Sequence, residues 1–209
     1  EQRRKEFATI TEELRSIGEA ISAQGASHCP KLEASVINLL KELGMPFASF
    51  SVQINQVDGF RTNGIDRVVF QFSANKQMPL QELSYVASGG ELSRLMLALK
   101  SLMVKTKGLP TIIFDEIDSG VSGEVAHRMG NIINAMAQGM QVINITHLPQ
   151  VASKGNCHFL VYKDNQNVTS TTRIKLLNHQ ERELEIAKLL SGESLTEAAI
   201  KNARELLGG

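Results

Sequence analysis

Two carboxylates stand side by side where a short apolar run ends: Thr111-Ile-Ile-Phe leads directly into Asp115 and Glu116. A second apolar run, QVINIT at residues 141–146, closes on His147. An acid at a strand end suits Mg²⁺, which keeps much of its water and needs few protein ligands, so Asp115 is a candidate to hold it, through water. Glu116, one residue on, points elsewhere and could orient or deprotonate an attacking water. His147 could hydrogen-bond a terminal phosphate and register its presence. Each feature alone has a plainer explanation, a solvated turn for the acids and a structural role for the imidazole. Their order and register together favour chemistry.

A third feature precedes them. Residues 85–107, YVASGGELSRLMLALKSLMVKTK, set a serine and two glycines against the start of an apolar helix. Leu92, Leu95, Met96, Leu99, Leu102 and Met103 recur at spacings of three and four, which predicts one buried face. Ser88 with Glu91 three residues later is a capping-box pattern. The same Ser88, Gly89 and Gly90 could instead present a hydroxyl and bare backbone N–H groups to a phosphate, since a Cβ would hold the anion away.

These groups need elements that bring them together. Val121, Val125, Met129, Ile132, Ile133 and Met136 mark a helix between the two apolar runs, closed by Gly139. Strand, helix and strand in close succession make a βαβ unit with parallel strands. Ligands of open α/β sheets sit beyond the carboxyl ends of the strands, so both acids and the imidazole should reach one crevice. Both strands read as buried on both faces.

Upstream, Phe7, Ile10, Leu14, Ile17 and Ile21 alternate spacings of three and four, a coiled-coil seam. Residues 1–26 are read as the returning end of an antiparallel arm and 27–209 as the lobe that follows. Gly25-Ala26-Ser27 is expected to interrupt the helix and Pro30 to sit in the first turn of the next, whose apolar face runs from Leu32 to Leu43. Strands at 50–57 and 66–73 should pair antiparallel through a longer loop containing Asp58-Gly59 and Asn63-Gly64. Downstream, a helical turn follows Pro149, and 157–163 pairs with 169–177 as a hairpin. Helices at 181–190 and 195–207 follow, the second capped by Thr196 or Ser194.

The chain has 209 residues, 42% of them hydrophobic, enough for one sizeable core. Its 22 basic and 22 acidic residues cancel, so any surface for nucleic acid or anionic lipid must be local. The widely separated Cys29 and Cys157 lack metal-type spacing and are expected to be packed, as suits a reducing cytoplasm. No apolar run is long enough to span a membrane. Lys100, Lys105 and Lys107 are the nearest thing to a basic patch, and they equally well complete a helix dipole.

SGGE opening a helix, then IIFDE, then a histidine ending the next strand resembles the ABC-type ATPases, in the order ABC signature, Walker B strand and switch histidine. More narrowly, VASGGELSR, IIFDEIDSGVSG and ITHLPQVA are similar to the RecN family of SMC-like DNA-repair ATPases of bacteria. FSAN before the signature and a terminal AxxxARELL also fit. The resemblance covers nearly the whole chain. It implies an α/β fold, the C-terminal lobe of an ABC-type ATPase head, with a mostly parallel sheet flanked by helices, some antiparallel strands, and an N-terminal coiled-coil helix.

It further implies a site shared between two heads. Ser88, Gly89, Gly90 and Glu91 would meet the γ-phosphate of an ATP held mainly by the opposite protomer of a head-to-head homodimer. Asp115 would hold Mg²⁺, Glu116 would be the general base, and His147 would contact the γ-phosphate. Asp118, Ser119 and Ser122 would belong to the D-loop, with Ser122 standing where the wider SMC pattern has an Asp. DNA would be the partner acted upon, in the bacterial cytoplasm at the nucleoid, with no membrane involved. A Walker A loop requires Gly-Lys before Ser or Thr, and no glycine here is followed by lysine. The chain is therefore expected to need an N-terminal Walker A lobe and to be inactive alone. Another SMC-like or ABC head, or a non-enzymatic tethering module, are the alternatives.

Overall fold

The computed structural model describes residues 1–86, 89–104, 109–164, 171–192 and 194–208. They divide into two units, Glu1–Ala98 and Leu99–Gly209. The first unit is built on one helix, α1 (Gln2–Glu42), with Pro30 inside it. The expected interruption at residues 25–27 does not occur. A proline inside a helix costs about 3 kcal/mol through a lost hydrogen bond and a ring clash. Val36, Leu40 and Leu43 are fully buried near the end of the helix, at about 1.5–3 kcal/mol each, which outweighs that cost. Gly25 does not stop the helix, and a Cβ there would make only ordinary van der Waals contact, 3.7 Å from Ile54 Cδ1 of a passing strand.

That strand is β1 (Ser49–Arg61), which pairs antiparallel with β2 (Gly64–Ser73), and α1 lies against both. Only Thr62 and Asn63 separate the strands, so the connection is tighter than the loop expected. Asp58-Gly59 falls in an irregular stretch of β1 between Gln56 and Arg61, where Gly59 takes a φ of +81°. Turn chemistry has here made a bulge inside a strand. The Glu33 carboxylate on α1 accepts the Val52 N–H at 2.7 Å and the Ser51 hydroxyl at 3.2 Å, anchoring β1 to the helix. A two-residue strand, β3 (Gln81–Glu82), completes the sheet in the order β1-β2-β3. Phe7, Ile10, Leu14, Ile17 and Ile21 are all exposed along α1, an apolar stripe without a partner among the described residues.

Helix α2 (Gly89–Met103) buries Leu95, Leu97 and Ala98, whereas Met96 and Met103 are exposed. The buried face is thus rotated from the one the spacing suggested. Apolar residues occur all round this helix, so periodicity alone does not select a face.

In the second unit, β4 (Thr111–Asp115) and β5 (Gln141–Ile145) are parallel and are joined by α3 (Gly123–Met136). The βαβ unit is as expected, but both strands alternate in burial. Ile112 and Phe114 are buried while Ile113 is 61% exposed; on β5, Ile143 and Ile145 are exposed at 44% and 52%. One face of this pair is covered and the other is open. Helix α4 (Pro149–Ala152) packs on α3, and β6 (Phe159–Asp164) pairs antiparallel with β7 (Thr171–Leu176). Helices α5 (His179–Ser191) and α6 (Glu197–Leu207) pack through Ile186, Ala187, Ala199 and Ala203. Thr196 caps α6, accepting the Ala199 N–H at 3.1 Å, and an unforeseen capping box of Asn178 and Glu181 starts α5. Arg182 donates to the carbonyls of Ser153 and Gly155 at 2.7 and 2.5 Å. Burial first, and then the Arg182 guanidinium, hold the His158 imidazole below its ordinary pKa, against a smaller upward pull from Glu185. Cys157 is exposed rather than packed, because it lies in the connection before β6.

Candidate functional site

The parallel register of β4 and β5 sets Asp115 opposite Ile145. The pairing runs one step further, the Glu116 N–H donating to the Ile145 carbonyl at 3.3 Å. The chain then turns sharply. Glu116 has a φ of +49°, the one described non-glycine residue in the left-handed region, a conformation that costs of order 1–3 kcal/mol and persists only where the surroundings impose it. They do so through its carbonyl, which accepts both the Ser119 N–H at 3.2 Å and the Ser119 hydroxyl at 2.9 Å. Strain is thus held at the residue singled out from sequence as a base. Asp115 and Glu116 are both exposed, as is His147, two residues beyond the end of β5.

Asp118 behaves differently. Expected to belong to the D-loop, it is fully buried, and its Oδ2 accepts a hydrogen bond from the Thr146 hydroxyl. Thr146 Oγ1 in turn accepts the Leu148 N–H at 3.0 Å, closing a hydroxyl turn around His147. Asp118 Oδ1 has no partner among the described residues. The turn bearing Glu116 and the turn bearing His147 are therefore tied by a partly buried side-chain hydrogen bond. Sequence reading missed Thr146; its signal was a hydroxyl residue two before a backbone N–H at a strand end. Ser122 is the N-cap residue of α3 but makes no side-chain cap.

Of the glycine-rich stretch, Ser88 lies outside the described residues. Gly89 is exposed at the start of α2, and a Cβ built there meets nothing within 4 Å. Neither packing nor a positive φ within this chain calls for glycine at 89, which leaves room for an external group. Glu91 is partly buried in the first turn. Arg94, not anticipated, folds back so that Nε donates to the Gly90 carbonyl at 3.2 Å, while NH1 reaches the Leu43 carbonyl at 3.4 Å. Lys100 places Nζ 5.7 Å from the centre of the Phe114 ring; Lys105 and Lys107 lie outside the described residues.

No group of three or more His, Cys, Asp or Glu among the described residues could enclose a metal. An exposed acid at a strand end, without protein co-ligands, fits Mg²⁺ only in the manner in which that ion takes most of its shell from water and phosphate oxygens. On those terms Asp115 fits the Mg²⁺ that the motifs imply.

A long helix lying against an antiparallel sheet in one unit, and in the other a β4-α3-β5 unit that sets paired acids and a histidine at neighbouring strand ends, are the fold elements of an SMC-type head with its coiled coil. Solved structures bear this out at the level of fold. The Smc head domain with an extended coiled coil from Pyrococcus furiosus, bound to the C-terminal domain of ScpA, matches 90% of this chain and 44% of its own, with a TM-score of 0.59 at 16% identity. A structure described as concerning ATP-driven dimerisation and DNA-stimulated activation of SMC ATPases matches 78% of this chain and 93% of its own, with a TM-score of 0.50 at 15% identity. In sequence, the chain is 40% identical over 200 residues to DNA repair protein RecN of Rickettsia bellii, across 96% of this chain. It is 35% identical to that of Bacillus subtilis across 99% of this chain. Over the portion it shares with these proteins, the chain belongs to the RecN family. It spans 36% and 40% of the length of these two relatives. No family profile matches it. No described helix is long and apolar enough to cross a membrane.

Proposed function

We propose that this chain supplies the C-terminal half of a composite ATP site in a RecN-type machine that acts on DNA during double-strand-break repair. One observation carries the reading: the parallel register of β4 and β5, extended by the bond from the Glu116 N–H to the Ile145 carbonyl, sets Asp115 and Glu116 beside the strand end that bears His147. Asp115 would hold Mg²⁺. The Glu116 carboxylate would accept a proton from water, its direction set by the strained turn at its own Cα. His147 would donate from its imidazole to a phosphate oxygen. Ser88, Gly89, Gly90 and Glu91 would serve the nucleotide of a second head. Bound ATP with Mg²⁺ supplies the electrophilic phosphorus and the charge neutralisation that this chain lacks.

The missing half is a Walker A lobe, the first partner. Support comes from the absence of any Gly-Lys pair and from the open face of β4 and β5, since parallel strands are ordinarily covered on both faces. The second partner is another head; a neighbour of the same fold is described in terms of ATP-driven dimerisation. The exposed stripe of α1 suits a returning arm helix, and the setting is the cytoplasm of a bacterium, at the nucleoid. DNA contact rests on the relatives' printed name, DNA repair protein.

Steady-state Mg-ATP hydrolysis tests the proposal, measured on this chain alone and again with the Walker A lobe added. The expected result is silence alone, turnover on reconstitution, and loss of turnover in Glu116→Gln and Ser88→Arg. Turnover by the isolated chain that survives Glu116→Gln would place the chemistry elsewhere. Full activity of Glu116→Gln in the assembled protein would favour a tethering module that does not hydrolyse ATP.

A further inference from the structure

We propose that Asp118 and Thr146 are positioning residues that lock the Glu116 turn to the His147 turn, so that the acid and the imidazole move as one unit. The catalytic consequence of this rests on the ATPase reading above; the link itself does not.

Asp118 is 0% exposed, so its carboxylate cannot serve a ligand at the surface and must be satisfied within the protein. Its one described partner is the Thr146 hydroxyl, which donates to Oδ2 while accepting the Leu148 N–H. A hydroxyl can do both at once, and no other arrangement of donors satisfies all three groups. On one side of this bond, the Asp118 carbonyl accepts the Val121 N–H at 3.1 Å, and Ser119 closes on the Glu116 carbonyl with two bonds. On the other side, the Thr146–Leu148 turn encloses His147, whose backbone has no freedom to rotate while the turn is closed. Hydrogen bonds to a charged, buried acceptor are roughly twice as strong as neutral ones. Breaking this one leaves a carboxylate with both oxygens unpaired, so the two turns have a strong reason to stay together. Asp118 is fully buried and Thr146 partly so, and their reach to a ligand is through Glu116 and His147.

Amide hydrogen exchange on this chain tests the link without any nucleotide. In Thr146→Val, which keeps the shape and removes the hydroxyl, exchange at Leu148 should rise about fivefold, as loss of its neutral hydroxyl acceptor implies. Exchange at Ser119 and Val121, on the other turn, should rise with it. Thr146→Ser should restore both. A rise confined to Leu148, or a failure of serine to restore the second turn, overturns the link. Met129 and Ile133 in α3 report general loosening; if they rise too, Asp118→Asn is judged by the same criterion, since it keeps the volume and an acceptor.

In the assembled ATPase, Thr146→Val should lower kcat about tenfold with KM for ATP nearly unchanged, and should add less than about twofold to a His147→Ala enzyme. Multiplying losses in the double variant would mean that Thr146 does not act through His147, overturning the positioning role. Turnover that ignores Glu116→Gln would instead overturn the ATPase reading, and the exchange result would still decide the link.

Discussion

Gly130 is where α3 touches the element that follows His147, and adding one methyl group there measures how tightly the two are held. A Cβ at 130 would lie 2.9 Å from the Gln150 carbonyl oxygen, 3.1 Å from Lys154 Cγ and 3.4 Å from Val151 Cα. The lysine can swing aside, but the carbonyl and the Cα belong to α4 and can retreat only if that helix moves. Alanine gains about 1 kcal/mol over glycine in a helix interior. Overpacking against backbone typically costs about 1–3 kcal/mol. The expected net effect of Gly130→Ala is therefore destabilisation by about 1 kcal/mol, or about 2–4 °C in melting temperature for a chain of this size. Urea unfolding followed by circular dichroism measures it directly. Because α4 begins two residues after His147, its displacement should also slow reconstituted ATP turnover. A variant more stable than wild type would show that helix propensity dominates, and would refute the close approach of α3 and α4.

Two further substitutions probe other units of the argument. Pro30→Ala restores a helix N–H and removes a ring clash within α1, so thermal unfolding should show stabilisation by about 1–3 kcal/mol; a neutral or harmful effect would mean that a helix starts at Pro30 after all. His158 has its pKa lowered from 6.5 by burial and by Arg182, so the folded state binds fewer protons than the unfolded one as pH drops through that value. Its neutral form stabilises fully above pH 6.5, and that contribution is lost as pH falls towards the depressed folded value. Urea midpoints at about pH 7.5 and about pH 5.5 should therefore differ more in wild type than in His158→Gln, and equal slopes would dismiss the effect.

Much of the site was legible in order along the chain. Asp115, Glu116 and His147 each end or follow a short apolar run, and the helical spacing from Val121 to Met136 demanded that those runs be parallel. The right-handed crossover then left little choice about which strand ends face each other. The burial of Asp118, assigned to the D-loop by resemblance, was not legible, because it depends on a contact with Thr146, 28 residues away. Gly25-Ala26-Ser27 and Pro30 misled for a related reason. Local propensity is a matter of about 1–3 kcal/mol, and three buried aliphatic side chains near the end of α1, Val36, Leu40 and Leu43, exceed it.

What the sequence determined by itself was whatever depends on spacing within one element or on the identity of a motif. That includes the apolar stripe of α1, the βαβ unit, the Thr196 cap and the residues able to do chemistry. The tertiary structure alone decided which faces are covered. It left Ile113, Ile143 and Ile145 open on strands that read as buried throughout, rotated the buried face of α2 towards Leu97, and carried α1 unbroken past its proline. The reason is common to all of these. A side chain's type records how much it gains by leaving water, whereas the partner that takes it out of water comes from a distant part of the chain, or from another chain altogether.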